Sequence, residues 1–510
     1  MKRFPLALAA AAAWLATTIA STRADVRLPA LFSDGMVLQQ GVKVPIWGWA
    51  EDGEAVTVEF LGQKVSATAK DGKWKATLES LKAGGPHEMK IAGKNSISLK
   101  NVLVGEVWVC GGQSNMALAA QSVENAEEEI AKSANPMIRL FKVAQQAADE
   151  PQSDVKAQWQ ECGPQTVGAF SAAGYFFGRD LAKARNVPVG LIQSCIGGTN
   201  ATSWTSRAAL AGDPITKKAV EAYEEALKKY PQAKAAAEKQ LQAWQESVKK
   251  AKAEGQSPPK KPRNLLFGPM GPDNPKRPSA LYYGMISPLQ PYAIKGAIWY
   301  QGEANAGDAA QYRKLFPAMI QNWRADWGQG DFPFLFVQLP GFNKAKGQNW
   351  PALREAQLMT LSLKNTGMAV AIDVGDPDNI HPKKKQPVGE RLALAARAIA
   401  YGEKIVYSGP IYSSMKVEDG KAVLSFNHVG GGLEARGGAL KGFVIAGDER
   451  QFVEAKAQIV GDTVVVSNAQ VAKPAAVRYA WAPVPDCNLY NKEGLPASPF
   501  RTDDWPLEEK

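Results

Sequence analysis

One serine is the strongest candidate for chemistry in this sequence. Ser114 follows the apolar residues 107–109, a cysteine and two glycines, so a strand is predicted to end in a tight turn that exposes the hydroxyl. A serine hydroxyl attacks a carbonyl only when a base takes its proton and hydrogen-bond donors hold the oxyanion. A helix predicted to begin near Asn115 would offer amide donors and its dipole at this point. The same position also suits a serine that merely caps the helix.

Histidine is scarce, which narrows the search for the base. Of the three histidines, His381 lies in a polar, proline-flanked loop just before a predicted helix. Asp378, three residues earlier, can accept a hydrogen bond from one ring nitrogen and leave the other to take the Ser114 proton. The remaining two, His87 and His428, are interpreted as ordinary turn histidines of β-rich segments.

The turn that contains Asp378 has a second interpretation as a cation site. Asp373, Asp376 and Asp378 crowd carboxylates into a short stretch. Their order lacks the ligand spacing of a calcium loop. The sequence therefore favours catalysis over metal binding here, and we predict no metal and no other cofactor.

Two further loops follow predicted buried strands and carry candidate oxyanion donors. Gly197 and Gly198 let backbone amides approach a ligand closely. Gln301 offers a side-chain amide and Glu303 a carboxylate. Because loops at the carboxyl ends of parallel strands meet at one edge of a sheet, we expect these groups to lie near Ser114.

The elements that must position these residues follow an α/β pattern between two β-rich regions. Residues 25–100 alternate apolar and polar side chains between turns, which predicts an N-terminal β-sandwich. Residues 101–206 and 265–402 form the α/β domain, and residues 403–510 form a C-terminal β-rich domain. The buried strands of the predicted parallel sheet are 102–109, 189–194, 294–300, 334–339 and 368–372.

An insertion interrupts the α/β domain between residues 207 and 264. Val220, Tyr223, Leu227 and Tyr230 share one helical face, and a second apolar face follows Pro231, so we predict a helical hairpin. The net charge of the chain is +10, and most of it lies in this insertion and in the first 24 residues. No basic stripe with interleaved aromatic residues exists, which argues against a nucleic-acid partner.

The first 24 residues have the three regions of a secretory signal. A basic start is followed by an apolar core over 4–20 and by small residues up to Ala24. We therefore predict export to the periplasm or beyond the cell, and no membrane span in the mature chain. The four cysteines, Cys110, Cys162, Cys195 and Cys487, show no metal-binding spacing, and we predict no specific disulfide.

Five blocks stand in order along the sequence: GQSNM at 112–116, IGGT at 196–199, WYQGEAN at 299–305, LREAQ at 353–357 and DNIHP at 378–382. In this order they resemble a known family, the sialate O-acetylesterase-like carbohydrate esterases of the SGNH (GDSL-like) hydrolases. The likeness continues through 442–448, 476–481, 488–491 and 499–502. It covers nearly the whole mature chain and implies a three-layer α/β/α domain with flanking β-rich regions.

The resemblance also implies roles for individual residues. Ser114 is the nucleophile, His381 is the base and Asp378 is the orienting acid, with Glu303 as its rival. The oxyanion is held by three donors: the Ser114 amide, an amide of Gly197 or Gly198, and the Gln301 side chain.

The expected activity is removal of acetyl esters from sugar hydroxyls, with sialate as the first substrate. Acetylated xylan or another plant glycan is the alternative within the same chemistry. A non-catalytic glycan-binding protein is the alternative from a different class. The expected partner is thus an O-acetylated sugar, and the sequence leaves the oligomeric state open.

Overall fold

The structure, a computed structural model, describes residues 25–343 and 347–507. The predicted signal segment 1–24 lies outside the described residues. Within those two ranges, no helix combines the length and the apolar character needed to cross a membrane.

An N-terminal β-rich region leads directly into the centre of the molecule. Its strands are β1 (Val37–Gln39), β2 (Val44–Trp49), β3 (Ala55–Phe60), β4 (Gln63–Thr68), β5 (Lys73–Leu78), β6 (Gly84–Ala92) and β7 (Ser96–Gly112). In β5, Trp74, Ala76 and Leu78 are buried and alternate with exposed residues, because successive side chains of a strand point to opposite faces. β2 pairs with β5, whereas β3 pairs with β4 and β6. β7 runs through residue 100, where we predicted a domain boundary, because it pairs first with β6 and then joins the central sheet.

The central sheet is the predicted, mostly parallel one. It adds β8 (Asn135–Lys142), β9 (Trp159–Cys162), β10 (Val189–Cys195), β11 (Gly296–Tyr300), β12 (Phe334–Gln338) and β13 (Thr366–Val370). The strand order is β13-β12-β11-β7-β10-β8-β9, and every pair except β8 with β9 is parallel. β10, β11 and β12 are buried along their whole length. Strands covered on both faces appear in a sequence as unbroken apolar runs, which is why all five could be predicted.

Helices cover both faces of the central sheet. They are α1 (Ser114–Ala117), α2 (Ala126–Ala131), α3 (Ala172–Arg185), α4 (Arg207–Ala211), α5 (Pro214–Ala253), α6 (Ala309–Trp327), α7 (Trp350–Met359) and α8 (Gln386–Ile399). Trp108 of β7 packs edge-to-face on Phe177 of α3, and Trp299 of β11 packs in the same way on Trp323 of α6. Trp108 lies opposite Gly296, three residues before Trp299, so the two tryptophans point to opposite faces. The three-layer α/β/α domain is therefore confirmed.

Close packing of α8 on α3 fixes the loop that precedes α8. A Cβ built on Gly389 of α8 would lie 2.7 Å from the backbone nitrogen of Phe177 and would overlap Phe176. Only glycine allows the two helices to approach this closely. Since α3 itself packs on Trp108 of β7, the start of α8 is held near the middle of the sheet.

One long helix stands where we predicted a helical hairpin about Pro231, so that prediction is wrong. α5 has 40 residues and continues through the proline, which makes it about 60 Å long at 1.5 Å per residue. The chain then returns along the helix without forming a second one, and Trp244 Nε1 donates to the Pro259 carbonyl at 3.0 Å. Prolines 258, 259 and 262 lack amide donors and fix φ, which accounts for the irregular return.

The last part of the described chain is a second β-rich region. Its strands are β14 (Ile411–Glu418), β15 (Lys421–Asn427), β16 (Leu433–Ala435), β17 (Phe443–Ala446), β18 (Val453–Glu454), β19 (Lys456–Val460), β20 (Thr463–Ser467), β21 (Ala476–Tyr479), β22 (Leu489–Asn491) and β23 (Phe500–Arg501). Two four-stranded sheets, β14-β15-β20-β19 and β18-β17-β21-β23, enclose a core of their own that includes Leu424, Ile445 and Phe500.

Arg354 of α7 joins this C-terminal region to the central domain. Its buried guanidinium donates to the carbonyls of Leu339 and Pro340 at 2.9 Å, and to those of Ala482 and Pro483 at 2.8 Å. Burial lowers the pKa of Arg354 to about 9. Arg354 of the LREAQ block therefore holds the C-terminal region against the central domain.

Candidate active site

Ser114 lies where β7 ends, at the carboxyl edge of the central sheet. Gly112 has a φ of +139°, and a Cβ there would overlap the Tyr300 carbonyl oxygen of β11, so the turn requires glycine. Ser114 then begins α1, which has only four residues. Because a single helical turn has only a small macrodipole, an oxyanion at this position would be stabilised mainly by the nearby amide donors.

The turn after β10 lies against the serine. A Cβ built on Gly197 would lie 3.3 Å from Ser114 Cβ. Thr199 holds the turn in shape, since its hydroxyl donates to the Ile196 carbonyl at 2.8 Å and accepts from Trp204 Nε1 at 2.9 Å. Gly197 therefore lies close to Ser114, in a turn that Thr199 supports.

In the turn after β11, we expected the Gln301 side chain to be an oxyanion donor, but its amide hydrogens are bound elsewhere. Gln301 is fully buried, and its Nε2 donates to the Thr199 carbonyl at 3.2 Å and to Asn305 Oδ1 at 2.7 Å, so both of its hydrogens are committed. Asn305 Oδ1 also accepts from the Ala201 amide at 3.0 Å. Among the described residues, Asn305 Nδ2 has no hydrogen-bond acceptor. Asn305, which had no role in the sequence analysis, is thus the side chain of this turn whose amide hydrogens are not committed within the described residues.

Asn115 connects the serine turn to the histidine loop. Its Nδ2 donates to the Ile380 carbonyl at 2.9 Å, and its Oδ1 accepts from Lys385 Nζ at 2.7 Å. Lys385 Nζ also donates to the Pro382 carbonyl at 2.8 Å. Ile380 and Pro382 are the two chain neighbours of His381. Asn115, the chain neighbour of Ser114, therefore holds the backbone on one side of His381 directly and on the other through Lys385.

The histidine loop is further fixed by its own polar side chains. Asp376 Oδ1 accepts from the amides of Asp378 at 3.0 Å and Asn379 at 3.1 Å, and the His381 amide donates to Asn379 Oδ1 at 3.0 Å. Asp378 is exposed and shares this turn with His381. Burial lowers the pKa of the half-buried His381, and the nearby charge of Lys385 lowers it further.

Glu303 and Lys385 lie buried beneath the site. Glu303 Oε1 accepts from Asn115 Nδ2, and Glu303 Oε2 is buried without a hydrogen-bond partner among the described residues. Burial raises the pKa of Glu303 and lowers that of Lys385 to about 7, and the charge of each partly offsets the shift of the other. Glu303 is therefore hydrogen-bonded to Asn115, the chain neighbour of Ser114.

The remaining sequence candidates lie elsewhere. His87 packs against Phe60 in the N-terminal β-rich region, and His428 packs against Tyr407 near the C-terminal one. In the part of the chain that the structure describes, the four cysteines are free, and no three His, Cys, Asp or Glu side chains come together as a metal site.

The pKa of His381 gives a prediction for the pH profile. The candidate base His381 would act only when neutral, so kcat/KM should decline on the acid side at a pH below 6.5, the ordinary value for histidine. Because the pKa of Lys385 is about 7, this lysine is charged over the range in which His381 titrates. Lys385→Met removes that charge, and the acid limb should move to higher pH.

The profile of kcat/KM against pH on an aryl acetate checks this expectation. Lys384→Met is the matched control, because Lys384 is the exposed neighbour of the buried Lys385. An acid limb that stays in place in Lys385→Met, or moves equally in both variants, would contradict the proposed influence of Lys385 on His381.

Comparisons with known proteins identify the family of this chain. Residues 104–247 and 275–398 match the family described as carbohydrate esterase, sialic acid-specific acetylesterase. The chain is 30% identical to a sialate O-acetylesterase of Mus musculus, covering 93% of this chain and 94% of the mouse protein. The corresponding human enzyme is 29% identical, with 93% and 92% covered. A crystal structure of a carbohydrate acetylesterase from Xanthomonas citri is 38% identical and has a TM-score of 0.80, with 94% of this chain and all of that chain covered. The chain belongs to the sialic acid-specific acetylesterase family of carbohydrate esterases.

Proposed function

We propose that this chain is an exported carbohydrate O-acetylesterase that removes acetyl groups from sialate through a serine acyl-enzyme. The observation that carries the mechanism is the Asn115 bridge, which holds the Ser114 turn and the His381 loop together. The acetylated sugar as substrate is supported by the family and by the names of its relatives. Export is supported by the signal-like sequence of residues 1–24.

The first half of the reaction transfers the acetyl group to the enzyme. His381 takes the proton of the Ser114 hydroxyl as the oxygen attacks the acetyl carbonyl, and a tetrahedral oxyanion forms. We assign its donors to the Ser114 amide, an amide of the Gly197–Gly198 turn and Asn305 Nδ2. Asn305 replaces Gln301 in this assignment because both amide hydrogens of Gln301 are bound elsewhere. Gln301 instead fixes the orientation of Asn305.

The second half releases acetate. When the oxyanion collapses, the protonated His381 gives its proton to the departing sugar oxygen, and the ester bond to the sugar breaks. Neutral His381 then takes a proton from water, which attacks the acetyl-serine carbonyl. Collapse of the second oxyanion returns the proton to Ser114 and frees acetate. No metal or cofactor takes part in this scheme.

For the orienting acid we propose Asp378 rather than Glu303. The hydrogen-bonded oxygen of Glu303 accepts from Asn115, whereas Asp378 shares the turn of His381. In this scheme Glu303 acts indirectly, by holding the asparagine that positions the two loops.

Acetate release from defined substrates tests the proposed function. The purified mature chain should release acetate from O-acetylated sialate, and Ser114 should be labelled covalently by a fluorophosphonate. Acetylated xylan is the comparison substrate, since the related Xanthomonas citri structure is named only as a carbohydrate acetylesterase. Faster acetate release from xylan would mean that the substrate is a neutral glycan rather than sialate. Glycan binding with neither acetate release nor labelling would indicate a non-catalytic binding protein.

A further inference from the structure

A lysine and the catalytic serine flank the same glycine turn. A Cβ built on Gly197 would lie 3.3 Å from Ser114 Cβ, and one built on Gly198 would lie 3.6 Å from Lys276 Nζ and 3.6 Å from Phe267 Cε2. The largest possible distance is the sum of these two contacts and the separation between the built Cβ positions of the neighbouring glycines. The Lys276 ammonium therefore lies within about 14 Å of Ser114 Cβ. One or two sugar rings span such a distance.

The Lys276 ammonium is placed there without a counter-ion. It lies over the Phe267 ring, 4.4 Å from the centroid. Across residues 25–343 and 347–507, no carboxylate forms an ion pair with it, and burial lowers the pKa of Lys276. Holding a cation partly away from water is unfavourable unless an anion joins it. The surroundings of Lys276 therefore favour a ligand that carries negative charge.

The backbone of Lys276 is firmly held. Its amide donates to Asn274 Oδ1 at 2.8 Å, and its carbonyl accepts from Ser203 Oγ at 3.0 Å. Ser203 follows closely after the glycine turn, so this hydrogen bond connects the lysine backbone to the segment that contains the turn. Asn274 Nδ2 in turn donates to the Gly268 carbonyl at 3.1 Å. The position beside the turn is thus built into the fold.

The long helix α5 supports this segment from behind. Tyr230 of α5 packs so closely on Gly271 that a Cβ there would overlap its ring. The Tyr230 hydroxyl also donates to Asp273 Oδ2 at 3.0 Å, which ties up a nearby carboxylate. The insertion accordingly carries the segment that presents Lys276 to the active site.

We propose that Lys276 binds the carboxylate of an acidic sugar in the acetylated substrate and so selects acidic over neutral sugars. This inference rests on the proposed esterase function and adds the residue that recognises the acidic group of its sugar. The ammonium donates to the carboxylate while the ester carbonyl lies on the Ser114 side of the glycine turn. Charge-assisted hydrogen bonds of this kind are stronger than hydrogen bonds between neutral groups. A neutral sugar cannot form them with Lys276.

Two matched substrates test the proposal. One is O-acetylated sialate, and the other is the same molecule with its carboxylate converted to the neutral amide. We expect the wild-type protein to prefer the carboxylate in kcat/KM by about 10- to 100-fold, the range for a hydrogen bond to a charged group. Lys276→Met should reduce this preference to near one, and Lys276→Arg should keep most of it. Lys239→Met, an exposed lysine of α5, is the control and should keep the wild-type ratio.

The outcomes separate this inference from the proposed function. A wild-type protein that hydrolyses both substrates equally well overturns the role of Lys276 and leaves the esterase intact. A preference that persists in Lys276→Met overturns it as well, because another group then reads the carboxylate. If no acetylated sugar and no aryl acetate is hydrolysed, the proposed function itself fails.

Discussion

Ser114→Ala should reduce kcat for acetate release by about 10,000-fold or more, as loss of the nucleophile does in other serine hydrolases. Alanine has no oxygen to carry the acetyl group, so the two-step route is closed. The glycine turn and Asn305 remain, and binding and oxyanion stabilisation alone leave a small residual rate.

Acetate release, fluorophosphonate labelling and thermal unfolding measure this prediction together. Labelling should be lost, whereas the unfolding temperature should change little because Ser114 is only partly buried. Ser122→Ala serves as the control, since Ser122 is an exposed serine close by in the chain. Near-native turnover by Ser114→Ala would exclude Ser114 as the nucleophile.

His381→Asn should reduce kcat by a similar factor, about 10,000-fold, because the serine then has no base. Asparagine keeps a polar side chain of smaller size but does not accept a proton near neutral pH.

Two variants, Asp378→Asn and Glu303→Gln, test the candidate acids. Asp378→Asn should lower kcat by about 100-fold or more, as expected for the residue that orients the base.

Glu303→Gln provides the contrast to Asp378→Asn. Glutamine keeps an oxygen that accepts from Asn115 and removes a carboxylate whose second oxygen has no hydrogen-bond partner among the described residues. Its kcat should therefore stay within about 10-fold of wild type. Measurement of kcat on an aryl acetate decides between the two acids. A greater loss in Glu303→Gln than in Asp378→Asn would assign the orienting role to Glu303.

The parts of the fold that sequence reasoning could predict are those governed by local patterns. Unbroken apolar runs predicted the central strands, and the glycines after β7 and β10 predicted the turns beside Ser114. Strand ends of a parallel sheet converge, so Ser114, Gly197 and Gln301 were expected near each other from their places along the chain. Family resemblance then supplied individual roles.

The buried connections of the site could not be predicted in this way. Asn115, Glu303 and Lys385 lie far apart in the sequence and are joined only by the folded structure. Lys385 is the last of three consecutive lysines, and only its position at the start of α8 buries it while Lys383 and Lys384 stay exposed. A run of lysines is usually a solvated surface. The donor role that we propose for Asn305 could not be predicted for the same reason, since it depends on which hydrogens Gln301 has already used.

The error at α5 arose from treating a proline as a helix break. Pro231 lies inside the helix, and the loss of one hydrogen bond there is a local cost of about 3 kcal/mol. The helix nevertheless continues, and its contact through Tyr230 with the segment before Lys276 is a tertiary interaction that local propensity does not contain.

The course of β7 determines how this protein can be divided. A fragment that begins at residue 101 would start midway along β7, whose earlier half pairs with β6. The cut would therefore leave an unpaired edge at the middle of the sheet that carries Ser114. The amino-terminal region is therefore not a detachable module, and a minimal enzyme must retain it.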